Sequence, residues 1–195
     1  MSAQSGSKRR PWLAASAMLL CVGALAAAAA TTVSRSLVSY QAPEVTLVRA
    51  DGQHVSLPDE LDDGRAVLLS FIFTSCPSTC PLTSRTVEEF QRMLGPESAN
   101  VHLMSISIDP EEDTPARLAE YARRFHAGPT WHYYTGTLAA SIAAQRAFDV
   151  YRGEKMSHTP VMLLRVAPGK PWLRIEGFVT ADELVRDYHR LRVSR

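Results

Sequence analysis

Residues 66–81 read AVLLSFIFTSCPSTCP, an apolar run that ends abruptly in two cysteines, Cys76 and Cys80, each followed by a proline. The segment Ala66 to Phe73 is short, nearly all apolar and followed by small polar residues, which predicts a buried strand of an α/β sheet. The cysteines then lie just past the carboxyl end of that strand, the edge where open α/β sheets place ligands and chemistry. Pro77 and Pro81 disfavour helical backbone in the residue before each, so both cysteines are biased towards extended chain. Pro81 suits the first turn of a helix, and Leu82, Val87, Phe90, Met93 and Leu94 follow with a helical spacing. Cys80 is expected to cap this helix, where partial positive charge and free N–H groups favour thiolate over thiol. A pair so placed is suited to redox chemistry or to a soft metal. The bland alternative is a structural disulfide, or two thiols used as small hydrophobes.

The start of the chain indicates the compartment. Lys8, Arg9 and Arg10 precede an uncharged stretch, residues 11–34, which is long enough as a helix to span a bilayer. The positive cluster lies before the span, so residues 1–10 are expected in the cytoplasm and the chain after the span outside, the arrangement of a single-pass signal anchor. Localisation at the inner membrane follows, with the C-terminal domain in the periplasm. A cleaved signal peptide competes with this reading, because the alanines at 24–30 offer small-residue cleavage sites. Lipoprotein processing at Cys21 is disfavoured by the bulky Leu20 before it.

Beyond the span, residues 35–41 read as a polar linker and residues 42–195 as one domain of ordinary size. All 20 acidic residues but only 17 of the 21 basic ones follow Arg35, a balance of 17 − 20 = −3 that argues against nucleic-acid binding. The exported part keeps only Cys76 and Cys80, too few for a disulfide scaffold, so they form a functional pair or nothing. In order, Glu44 to Val48 and His54 to Leu57 predict a hairpin around Asp51-Gly52, and Pro58 to Arg65 an acidic loop. Strands are expected at Val101 to Ile108 and Trp131 to Tyr134, and helices at Pro115 to Phe125 and Leu138 to Phe148. A second hairpin, Val161 to Val166 with Trp172 to Phe178, precedes a last helix capped by Thr180 with Glu183 in the capping-box position. The layout is thioredoxin-like: a three-layer α/β fold with an N-terminal β-hairpin extension and an inserted β-hairpin. Phe71, Phe73, Trp131, Tyr133 and Tyr134 read as packing residues.

Three stretches, FIFTSCPSTCP, SIDPEEDTP at 107–115 and SHTP at 157–160, together resemble the Sco/SenC family of membrane-anchored, thioredoxin-fold copper proteins. The resemblance covers about residues 42–190. It implies a metallochaperone that takes copper from a donor protein, binds one copper ion through Cys76, Cys80 and His158, and delivers it to the copper A subunit of cytochrome c oxidase. Pro160 is a departure from many relatives. Its Thr-Pro setting resembles the cis-proline of thioredoxins and keeps a redox role open.

Two thiolates and an imidazole make a soft, three-donor set suited to Cu(I), whereas zinc normally asks for a fourth ligand. Asp109, at the end of the second central strand, is expected to orient a ligand or tune the metal. The other histidines, His54, His102, His126, His132 and His189, read as surface or satisfied core residues. The competing function is a periplasmic thiol-disulfide oxidoreductase in which Cys76 attacks and Cys80 resolves, acting on the cysteines of the oxidase copper site.

Overall fold

In a computed structural model the described residues are 33–193. The strands are β1 Ser34–Val38, β2 Thr46–Arg49, β3 His54–Ser56, β4 Ala66–Ile72, β5 Val101–Ser107, β6 Trp131–Gly136, β7 Val161–Arg165 and β8 Trp172–Glu176. The helices are α1 Leu57–Leu61, α2 Thr79–Leu94, α3 Pro115–Arg124, α4 Leu138–Ala147 and α5 Ala181–Val193. All eight strands form one sheet in the order β1-β8-β7-β4-β5-β6-β2-β3. β4, β5 and β6 run parallel at its centre, and β7 runs antiparallel to β4.

Strand β4 is buried on both faces, which is why it reads as an apolar run without alternation, and β5 is buried on both faces as well although its sequence alternates. One face packs Val87, Phe90 and Leu94 of α2, Leu118 and Tyr121 of α3, and Leu184 and Tyr188 of α5. The other packs Leu57 and Leu61 of α1 and Ala140 and Ala144 of α4. Helix, sheet and helix thus form the three layers expected. The β2–β3 hairpin joins the sheet through β6, and β7–β8 is the second hairpin, both as the turn residues predicted. Phe71, Phe73, Trp131, Tyr133 and Tyr134 are all core residues.

Two local expectations are corrected. The polar linker is in part a strand: β1 pairs residue for residue with β8, from Ser34 against Glu176 to Val38 against Trp172. As an edge strand it is mostly exposed and carries no alternating pattern to read. The acidic loop holds helix α1, capped by the Ser56 side chain on the Asp59 N–H with Pro58 in the first turn. The anchor expected at 11–34 falls outside the described residues except at its end, where Ser34 already belongs to β1. Among the described residues no helix is long and apolar enough to cross a membrane.

Phe90 is fully buried, and its ring meets Tyr188 of α5 edge-on at 6.2 Å. Phe90→Ala should therefore cost about 3–5 kcal/mol, read as a lowered urea midpoint. A cost below about 1 kcal/mol would show that the α2–α5 layer is not packed in this way.

Candidate metal centre

Strand β4 ends at Ile72, and the chain turns through Thr74 and Ser75 to Cys76, whose N–H donates to the Phe73 carbonyl at 3.2 Å. Asp113 holds the turn. Its fully buried carboxylate accepts the Thr74 N–H at 3.1 Å, the Thr74 hydroxyl at 2.5 Å and the Ser107 hydroxyl at 2.6 Å. The β4 and β5 ends are thus tied to one anion, with the two cysteines just beyond. Clamping this loop is what the Asp113 carboxylate does here.

The two cysteines differ. Ser78 is the N-cap of α2, so Cys80 lies inside the first turn instead of capping it. The Cys80 side chain is buried, and Cys76 is half-buried; neither is in a disulfide. Burial pushes the Cys80 thiol well above its ordinary range, against the lowering expected for a helix N-terminus. Desolvation outweighs the dipole at this position. The sulfur that receives an N-terminal amide of α2 is that of Cys76, which accepts the Cys80 N–H at 3.3 Å.

His158 comes to the same sheet edge. Because β7 is antiparallel to β4, with Met162 opposite Ser70, the residues before Val161 sit beside the end of β4. The His158 Nε2 lies 3.0 Å from the Phe71 carbonyl. A carbonyl only accepts, so Nε2 carries the proton and the ring's lone pair is on Nδ1, the pattern of a metal-binding histidine steadied by a backbone acceptor. Burial holds this imidazole below its ordinary pKa, although the Phe71 carbonyl favours the charged ring.

Asp109 reaches the centre through its neighbour. Its carboxylate pairs with Lys155 Nζ at 2.6 Å, and the Lys155 carbonyl accepts the His158 N–H at 3.1 Å. Asp109 therefore tethers the segment that carries His158. The cis-proline likeness does not hold, since no cis peptide occurs among the described residues, Thr159–Pro160 included.

Cys76, Cys80 and His158 share the edge without converging on one point. Among the described residues, the three ligand atoms that lie within 4.8 Å of one another belong to Glu60, His102 and His132. Sequence reasoning passed over this second cluster because each histidine was weighed alone; the available signal was a histidine in each of two neighbouring strands, in VHLMSISI and WHYY.

The comparisons with known proteins agree with the fold. The SCO1/SenC family model matches residues 38–191. The chain belongs to the SCO1/SenC family. A SCO1 protein homolog of Bacillus subtilis is 33% identical over 106 residues, which are 54% of this chain and 54% of that protein. The chain thus matches about half the length of that relative. Among solved structures, Bradyrhizobium japonicum ScoI with copper bound superposes with a TM-score of 0.65 at 26% identity, covering 77% of this chain and 98% of that one. BsSco, described as a Sco-family cytochrome c oxidase assembly protein with a disulfide switch, gives 0.67 at 26% identity, covering 82% and 98%. The thioredoxin-like α/β architecture is common to them.

The burial of the thiols and histidines has two measurable consequences. Cys76 should alkylate at least about tenfold faster than Cys80, since Cys80 is both shielded and held protonated; equal rates in single-cysteine variants would contradict the asymmetry. His102, His132 and His158 all have lowered pKa values in the fold, with burial as the leading cause. Below about pH 6.5 the unfolded chain binds protons on these rings that the folded chain refuses, so stability falls as pH drops through that value. The metal-free protein should melt lower at about pH 5.5 than at about pH 7, and a melting temperature unchanged or higher at the acid value would overturn this.

Proposed function

We propose that this chain holds one copper ion through Cys76, Cys80 and His158 and passes it to the copper A site of cytochrome c oxidase. The observation that carries the reading is the placement of two free thiols beyond the end of β4 with His158 hydrogen-bonded to Phe71, next to last in the same strand. The donor set fits the ion: two thiolates and a neutral imidazole suit Cu(I) and discriminate against hard cations. Copper is cargo here, taken from a donor protein and released to the oxidase subunit, so partial exposure of Cys76 serves transfer. Its relatives support this: one is solved with copper bound, another is described as an oxidase assembly protein. Loading would require the His158 ring to bring its Nδ1 towards the thiols, a movement that the Asp109–Lys155 tether limits. On this reading the sequence before β1 anchors the protein in the inner membrane and the folded domain faces the periplasm.

A second reading, thiol-disulfide exchange, is favoured by the inequality of the cysteines. Half-exposed Cys76 is accessible to a partner disulfide, and buried Cys80, four residues on in the first turn of α2, is the resolving thiol, its N–H on the Cys76 sulfur. Reducing the cysteines of the oxidase copper site would precede delivery of copper to them, so the roles are compatible.

The reduced full chain in detergent should bind one Cu(I) in competition with a chromophoric chelator, and the disulfide form should bind none, because oxidation consumes both thiolates. Cys76→Ser and Cys80→Ser should each abolish tight binding. His158→Ala should weaken it severely and leave disulfide exchange intact. Equal Cu(I) affinity in oxidised and reduced protein would remove the cysteine site, and wild-type copper affinity in His158→Ala would remove the histidine and leave exchange as the better reading.

A further inference from the structure

We propose that Glu60, His102 and His132 form a second metal site, for a borderline divalent cation such as Zn(II), at the sheet end opposite the cysteines. His102 lies at the start of β5, paired with Val67, while the cysteine loop leaves β4 after Ile72. Five residues of strand separate these positions, about 17 Å at about 3.3 Å per residue. His132 is on β6, where it pairs with Met104, and Glu60 is on α1, which covers this face.

The argument is a count of protons and lone pairs. His102 Nδ1 lies 2.9 Å from Asp63 Oδ2 and donates to it, so in the neutral ring Nε2 is a bare lone pair. That Nε2 faces the Tyr134 hydroxyl oxygen at 2.9 Å. The hydroxyl has one proton, and it is directed to Glu60 Oε2 at 2.5 Å. His132 Nε2 donates to the Pro129 carbonyl at 3.1 Å, which leaves a lone pair on Nδ1. Nδ1 is buried and has no hydrogen-bond partner among the described residues.

One ligand atom from each of the three side chains lies within 4.8 Å of the other two, and Glu60 Oε2 is 3.8 Å from His102 Nε2. Three acceptors and a single shared proton leave this buried cluster short of positive charge. Arg49 approaches Glu60 no closer than 4.0 Å and gives its strong bonds to Asp51, at 2.7 and 3.0 Å. A cation between the three acceptors supplies what the hydrogen bonds do not.

Each imidazole also has the outer partner that metal-binding histidines need: a carboxylate, Asp63, for His102 and a backbone carbonyl, Pro129, for His132. Two imidazoles and a carboxylate around an open fourth position are a recognised zinc set. Zinc bonds of about 2.0–2.1 Å would draw the ligand atoms to roughly 3.3 Å apart, a contraction within reach of the half-buried His132 and Glu60 side chains.

The test uses the untagged full chain in detergent with Cys76→Ser and Cys80→Ser, so that the thiols cannot bind the probe. Zinc titration followed by calorimetry and metal analysis should give one Zn(II) per chain. Adding His132→Gln or Glu60→Gln should weaken it by more than the roughly tenfold to hundredfold that loss of an outer partner costs. Asp63→Asn should weaken it within that range. In the parent variant, zinc should shift the ring resonances of His102 and His132 and spare those of His54, His126 and His189, a reading that requires no further folded variant. No stoichiometric zinc, zinc unaffected by His132→Gln and Glu60→Gln in folded protein, or ring shifts elsewhere would each overturn the proposal. Since the cysteines are absent throughout, none of these outcomes bears on the copper reading.

Discussion

The Asp113 carboxylate is the constraint on which the cysteine edge depends. It is inaccessible to solvent and takes three hydrogen bonds, two from Thr74 and one from Ser107. Hydrogen bonds to a buried carboxylate are among the stronger ones available to a fold, and leaving their donors unmet is costlier than making them is favourable. The effect is to fix where β4 stops. With Thr74 held, the amide of Cys76 closes on Phe73, and α2 can begin only at Ser78 and Thr79. The loop that carries the two sulfurs is therefore held by a residue that lies in the next βα connection.

That placement divides the labour between two chemically identical side chains. Cys80 is packed into the layer formed by α2, α3 and α5, where a thiolate is poorly solvated. Cys76 lies at the rim of the same cluster and takes the helix amide. A soft cation reverses the cost at Cys80, since metal binding replaces the proton and neutralises the charge that burial penalises. On the proposed copper reading, the same burial that makes Cys80 a poor free nucleophile would make it a ligand that competes little for hydrated hard ions.

Much of the fold was legible in the chain because its signals are local. An apolar run marked β4, alternation marked β5, Pro115 marked the start of α3 and Pro81 that of α2 to within two residues, and the Thr180–Glu183 box marked α5, where the two residues do hydrogen-bond reciprocally. What escaped depended on partners distant in sequence. β1 is a strand only because β8 offers it an edge, and α1 is hidden in an acidic run whose cap is a single serine. The ionisation of Cys80 was misread for the same reason: helix position is a local property, whereas desolvation is set by the layer that packs over it. Asp109 was expected near the ligands, and its contact with the His158 segment runs through Lys155, 46 residues away in the chain.

The two donor clusters lie at opposite ends of the same parallel strands and differ in softness in a way that would keep their ions apart. Thiolates select monovalent copper; two imidazoles and a carboxylate favour divalent zinc or copper, the latter more strongly by intrinsic affinity. Selectivity at the histidine end must then come from geometry and from which ion is available. The Asp63, Tyr134 and Pro129 contacts orient both rings, and Asp63 is itself held by Arg65 at 2.9 Å. Two imidazoles and one carboxylate suit zinc, which has no electronic preference for shape, better than the tetragonal arrangement that Cu(II) prefers. If both proposals hold, copper held at the cysteine edge in its monovalent state would find no soft donor in the second cluster, and neither site would drain the other.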